Sequence, residues 1–176
     1  MKKSLSLTIL LALAAGALPA LAGESAPLAH KTPSGWFDME NCYFCKNLVA
    51  DPQLLSHCQW ETRPTSDGML TIMTVEPEWR GAMAKVNAAM ENCITQMHGG
   101  KVDLAKVKMC GFCQAYGELM NAGVKMETVK GDVAEVTIMR SDDPKLVQRM
   151  HDIAKRNTEE MAIMMAAADP HAAHHH

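Results

Sequence analysis

Aromatic side chains are scarce in this chain: phenylalanine, tyrosine and tryptophan together make up 5 % of its 176 residues. A core built from this sequence must take its bulk from elsewhere, and fifteen methionines, flexible and gap-filling, can supply it. Basic charge is lacking as well. Setting aside Lys2 and Lys3, which fall in the N-terminal leader, seventeen basic residues become fifteen against twenty acids, a net charge of −5. That balance argues against nucleic acid, whose phosphates require a basic face, and against an anionic membrane surface. The chain has no glycine-rich phosphate loop, so no nucleotide is expected, and no Gly-x-Ser-x-Gly elbow or His-Glu-x-x-His helix. Nor does histidine follow either Cys-x-x-Cys pair. Lys46 and Gln114 stand there instead, which excludes covalently attached haem c.

Only one long apolar run occurs, from Leu5 to Leu18, behind Met1-Lys2-Lys3 and ahead of Pro19 and the small residues Ala20 and Ala22. A basic start, a short apolar stretch and small residues at the cleavage positions predict a secretory signal peptide over residues 1–22. The run falls short of the ~20 residues that span a bilayer. The expected product is soluble, exported to the periplasm or secreted, with no membrane segment left after cleavage. Residues 23–35, with two prolines and little periodicity, read as a flexible leader.

The remainder can be laid upon itself. Glu61-Thr62 falls on Glu127-Thr128, and Thr71-Ile72-Met73 falls on Thr137-Ile138-Met139. After one inserted residue, Pro77 meets Pro144, Met83 meets Met150 and Met97 meets Met164. The common order predicts a duplication, with one repeat over 36–98, a linker over 99–109 and a second repeat over 110–168. Each repeat reads α-β-β-α. A helix is expected over Cys42–Leu55 and another over Cys110–Ala122. Hairpins come next, of Cys58–Thr62 with Met69–Val75 and of Val124–Val129 with Val133–Arg140. The last helices are Pro77–Met97 and Pro144–Ala168, the second capped by Ser141 or Asp142. One hairpin with two helices buries its apolar face poorly. The fold class expected is α+β: tandem α-β-β-α repeats forming a pseudo-twofold domain, with a four-stranded antiparallel sheet and packed helices.

All six cysteines lie beyond the leader, and an even count in an exported protein usually reports disulfides. The duplication divides them. After a two-residue adjustment, Cys42 and Cys45 correspond to Cys110 and Cys113, whereas Val124 and Glu160 stand where Cys58 and Cys93 would recur. The unmatched two are expected to form a structural disulfide, Cys58–Cys93. The matched four are metal candidates. A Cys-x-x-Cys pair at a helix start meets unpaired N–H groups that favour thiolates. Two such knuckles brought together offer four soft ligands to zinc or copper(I). Two alternatives use the same residues: staples in a module that acts on a protein partner, and thiol–disulfide exchange through Cys42, Cys45, Cys110 and Cys113. The tetrapeptide "CGFC" resembles the active-site motif of some thiol oxidoreductases, but no βαβ pattern accompanies it.

Met83, Met90 and Met97 recur every seven residues on one helix, and Met150, Met161, Met164 and Met165 enrich the other. They read first as core and second as thioether ligands for copper(I). The chain ends "DPHAAHHH", so His171, His174, His175 and His176 are secondary metal candidates. Among the scattered histidines, His57 beside Cys58 is the one to check.

Overall fold

Two β-hairpins form the centre of the fold. In the structure, a computed structural model describing residues 29–168, β1 (Cys58–Thr65) pairs with β2 (Gly68–Val75), and β3 (Lys125–Lys130) pairs with β4 (Ala134–Arg140). The β2–β4 seam joins them into one four-stranded antiparallel sheet of order β1-β2-β4-β3. The α+β class expected from the alternating β-branched runs is borne out. Gly68 opens β2 because nothing larger fits: a Cβ there would lie 1.9 Å from the carbonyl oxygen of Met139. Along the seam Thr71 faces Thr137, flanked by Leu70 opposite Ile138 and Ile72 opposite Val136. Within the hairpins, Thr62 faces Thr71 and Thr128 faces Thr137.

Side chains alternate between the two sheet faces. Trp60, Thr62, Met69, Thr71 and Met139 share the inner face, where α3 (Pro144–Ala168) lies across β1 and β2. Met150, Ile153, Ala154, Asn157 and Met164 of α3 are buried at helical spacing. The helix is capped one residue later than expected. Asp143 accepts a 2.8 Å hydrogen bond from the Lys145 N–H, and Pro144 takes the first helical position. Helix α1 (Arg80–His98) comes after a 3-10 turn at Pro77–Trp79 and buries Met83, Val86 and Cys93. Helix α2 (Gly111–Asn121) ends at Gly123, whose φ of +88° admits glycine without strain. Tyr116 of α2 sits with its hydroxyl 3.3 Å from that of Thr71.

Two expectations fail. The helix foreseen over Cys42–Leu55 does not form; the stretch holds only short 3-10 turns at Cys45–Asn47 and Leu54–His57. Pro52 forces its predecessor away from helical backbone, and Asn47 turns its side-chain amide back onto the Phe44 carbonyl at 2.8 Å. The end of the expected leader is also ordered. Lys31 forms a β-bridge with Asp38, Thr32 is fully buried, and Thr32 N–H donates to Phe37 O at 2.9 Å. No helix of the described residues is long and apolar enough to cross a membrane. The signal peptide and the histidines of the tail, His171, His174, His175 and His176, lie outside the described residues.

Candidate metal centre

The turn at Gly35–Trp36 builds one side of the site. Its carbonyls accept hydrogen bonds from the N–H groups of Gly111 (3.2 Å) and Phe112 (3.0 Å), which have no partner within α2. Trp36 packs so closely there that a Cβ on Gly111 would lie 3.0 Å from its ring and 3.3 Å from its Cα. The indole is held in turn by Asn157, 2.8 Å from its Nε1, and by the Arg156 guanidinium, 4.1 Å above the ring. Ser34 reaches Glu160 of the same helix at 2.6 Å. Trp36 and Phe37 account for two of the eight aromatic residues, and their adjacency in so poor a sequence was the signal that this segment is packed.

The other side is the turn carrying Cys42 and Cys45. Its Tyr43 N–H donates to Lys108 O at 2.8 Å, and Cys42 N–H donates to Asp38 O at 2.9 Å. The Asp38 carboxylate is buried and takes hydrogen bonds from Asn41 at 2.7 Å and Lys108 at 3.1 Å. Asn41's hydrogen bond, then Lys108 and Lys31, hold its carboxyl below the usual carboxylate range against the opposing effect of burial. These contacts tie together the approaches to both thiol pairs.

The four matched thiols meet where the two sides join. The Sγ atoms of Cys42, Cys45, Cys110 and Cys113 all lie within 4.8 Å of one another. Cys45 is 3.4 Å from Cys113 and 3.8 Å from Cys110, and Cys42 is 3.5 Å from Cys113. All four are free thiols, and the separations far exceed the ~2.05 Å of a disulfide. They match the edge of a tetrahedron instead: metal–sulfur bonds of ~2.3 Å give sulfur–sulfur edges of about 3.8 Å. Cys42, Cys45 and Cys110 are buried, and Cys113 alone is partly exposed. The backbone amides of Cys110 and Cys113 add the smallest of the effects that lower Cys42 and Cys110 respectively.

Crowded thiols cannot ionise independently. Hydrogen bonding from Cys110 first, then Cys113 and Cys45, drives the Cys42 thiol far below its ordinary range. Cys110 falls to about 7, chiefly through Cys113. Cys45 and Cys113 are pushed far above the ordinary value, each chiefly by Cys110. Protein groups alone can therefore hold some of these sulfurs as thiolates and keep others protonated. A bound cation would displace the remaining protons, as thiolate ligation requires. This donor set fits a metal ion: four soft sulfurs on two chain segments, three of the four cysteines buried.

The remaining candidates do not join this cluster. The expected Cys58–Cys93 disulfide is absent, both residues being free thiols. Cys58 Sγ donates to Leu54 O at 3.2 Å, whereas Cys93 Sγ lies 3.7 Å from the Asn47 side-chain amide. An unmatched pair in sequence therefore did not imply a bridge: Cys58 is half-buried against the core, and Cys93 is buried beside the turn that holds Tyr43 and Asn47. Burial and the nearby Glu76 raise Cys58 to about 11. His57 stacks on Trp79 with ring centroids 4.2 Å apart and pairs with Glu76 at 2.8 Å. Met83, Met150 and Met164 are core residues, and Met165 is exposed. Comparison with protein-family models, with curated proteins and with solved structures finds no match.

Proposed function

We propose that this is an exported metal-binding protein in which Cys42, Cys45, Cys110 and Cys113 hold a single ion, zinc first and copper(I) second. One observation carries the reading: two thiol pairs sixty-eight residues apart converge until all four sulfurs lie within 4.8 Å. Four ligands near tetrahedral spacing suit zinc, whereas copper(I) is favoured by the softness of the sulfurs. Metal binding would link chain segments on either side of β1, β2 and α1, adding its free energy to that of folding.

The site also gives the duplication a purpose. A unit carrying one Cys-x-x-Cys supplies two ligands, and an approximate twofold supplies the other two. In support, the pairs along the β2–β4 seam run symmetrically about Thr71 and Thr137, residues that the internal alignment matches. Export rests on the leader at residues 1–22, and a metal ion would keep the thiols from oxidation in that compartment.

Native and denaturing mass spectra of the purified, reduced protein supplied with zinc test the reading. One zinc per chain is expected in the native spectrum, with all six cysteines as thiols after denaturation. Binding should disappear in Cys42→Ser and persist in Cys58→Ser. A metal-free native spectrum, or equal binding by both variants, would refute it.

A further inference from the structure

The two loops are held together without any metal. The Tyr43 N–H to Lys108 O hydrogen bond and the Lys108–Asp38 ion pair fasten the approach to one thiol pair onto the other. The Gly35–Trp36 turn anchors the start of α2 independently. An ion that left this site would therefore leave four sulfurs still in contact. The three sulfur–sulfur contacts with hydrogen-bonding geometry, 3.4, 3.5 and 3.8 Å, all run from one loop to the other. Cys113 takes part in the two shortest and is the one residue of the four that is not buried.

We infer that the site is a redox-gated metal store: a disulfide oxidant converts the four thiols into two bridges between the loops, and the ion is expelled. The release half rests on the metal reading above, and the bridging half does not. An oxidising compartment supplies reagents of the required class, small-molecule or protein disulfides. Cys113 is the entry point. Its thiol first loses its proton to solvent; the thiolate then attacks one sulfur of the oxidant, the oxidant's S–S bond breaks, and one thiolate leaves. Cys45 or Cys42, each already touching Cys113, then attacks the Cys113 sulfur and expels the second thiolate. Either choice leaves the remaining two thiols on opposite loops, and a second oxidant molecule joins them. Four thiols and two molecules of oxidant thus give two bridges and four small thiols. From the loaded site, the same change consumes four protons and sets free one divalent ion, because a disulfide sulfur is no longer a thiolate donor.

The cross-loop pattern departs from what the motif by itself suggests. A Cys-x-x-Cys pair offers a short ring, and bridges within each pair are the obvious alternative. Such bridges would lock each loop separately and leave the loops unlinked. Bridges between loops close long segments and constrain the unfolded chain far more. The oxidised form should then stay folded after losing the ion, ready for reduction and reloading.

The test uses oxidised glutathione on the wild-type chain in two states. Metal-free, reduced protein is oxidised, quenched with acid, alkylated, and digested with and without reductant. Expected are the loss of four hydrogens, bridges joining Cys42 and Cys45 to Cys110 and Cys113, and Cys58 and Cys93 recovered as alkylated thiols. Bridges Cys42–Cys45 and Cys110–Cys113 would overturn the inference, as would four thiols that survive excess oxidant. The zinc-loaded protein is then oxidised in the presence of a chromogenic chelator. One zinc should appear for every two disulfides formed. Zinc retained after both bridges have formed would sink the coupling. A reduced protein that takes up no zinc refutes the metal reading and the release half, while the mapped bridges still decide the other half.

Discussion

The two thiol loops share a spacing and a phenylalanine but are built differently. Cys110 caps α2, and the first turn of a regular helix presents Cys113. Cys42 lies in a run of turns, and Cys45 opens a 3-10 segment only three residues long. The residues C-terminal to each pair account for the difference. "CQAYGELMN" continues with helix formers up to Gly123, while "CKNLVADPQ" meets Asn47 and then Pro52. The thiols converge all the same. Ligand placement in a Cys-x-x-Cys pair is thus set by the tight turn between the cysteines, and a long helix afterwards is dispensable. Exposure differs too: both cysteines of the turn-built loop are buried, and Cys113 of the helix-borne loop is partly exposed.

The comparison is broken most severely by removing a buried sulfur. Cys42→Ser should lower zinc affinity well beyond the roughly 10–100-fold that the loss of an outer-shell partner costs. Isothermal titration against a competing chelator measures this. Cys113→Ser should cost less, because water can reach that position and serve as the fourth ligand. Equal losses would mean that the exposure of Cys113 has no bearing on the site.

A smaller effect separates the residues next after the first cysteine of each pair, Gly111 and Tyr43. A methyl group at Gly111 meets the Trp36 ring at 3.0 Å and its backbone at 3.3 Å. Gly111→Ala should destabilise the reduced protein by about 1–3 kcal/mol, the usual cost of overpacking, seen as a lower urea midpoint. The half-exposed Tyr43 packs edge-on against Phe44 at 5.4 Å and takes a weak 3.3 Å hydrogen bond with Gln96. Tyr43→Ala should cost about 1 kcal/mol or less. The reverse order would show that Trp36 yields and that Tyr43 carries more of the loop's packing.

Much of the fold is legible in the chain because it rests on local periodicity. β2 and β4 coincide with runs of β-branched residues, α3 starts at Pro144 and buries Met150 and Met164, and α1 follows the turn that Pro77 opens and buries Met83. The four site cysteines stand out because the Cys-x-x-Cys spacing occurs twice. Other features depend on distant partners. Trp36 owes its position to Asn157, Gly111 and Arg156, none of them near it in sequence. The free state of Cys58 and Cys93 depends on where β1 and α1 end up relative to each other, which no spacing reveals. The first expected helix fails because Pro52 outweighs the helical composition around it.

The smallest expected effect concerns the ion pair that fastens the loops, and pH makes it readable. Asp38 is held ionised by Asn41 first, and next by Lys108 and Lys31. Its folded pKa is thus depressed relative to an unfolded value near ~3.9. A depressed carboxylate contributes stability that is fully present above the unfolded value and is lost as pH falls through the folded one. Lys108 is largely exposed, its side chain 63 % accessible, so solvent screens the pair. Lys108→Met should therefore lower the stability of the reduced, metal-free protein by no more than about 1 kcal/mol at neutral pH. The deficit should shrink as the pH drops below ~4, because protonated Asp38 no longer needs the cation. Chemical denaturation of both proteins across that range checks the sign. A deficit that is unchanged in acid would assign the role of Lys108 to its backbone carbonyl and aliphatic stem, leaving the Tyr43 hydrogen bond as the tie between the loops.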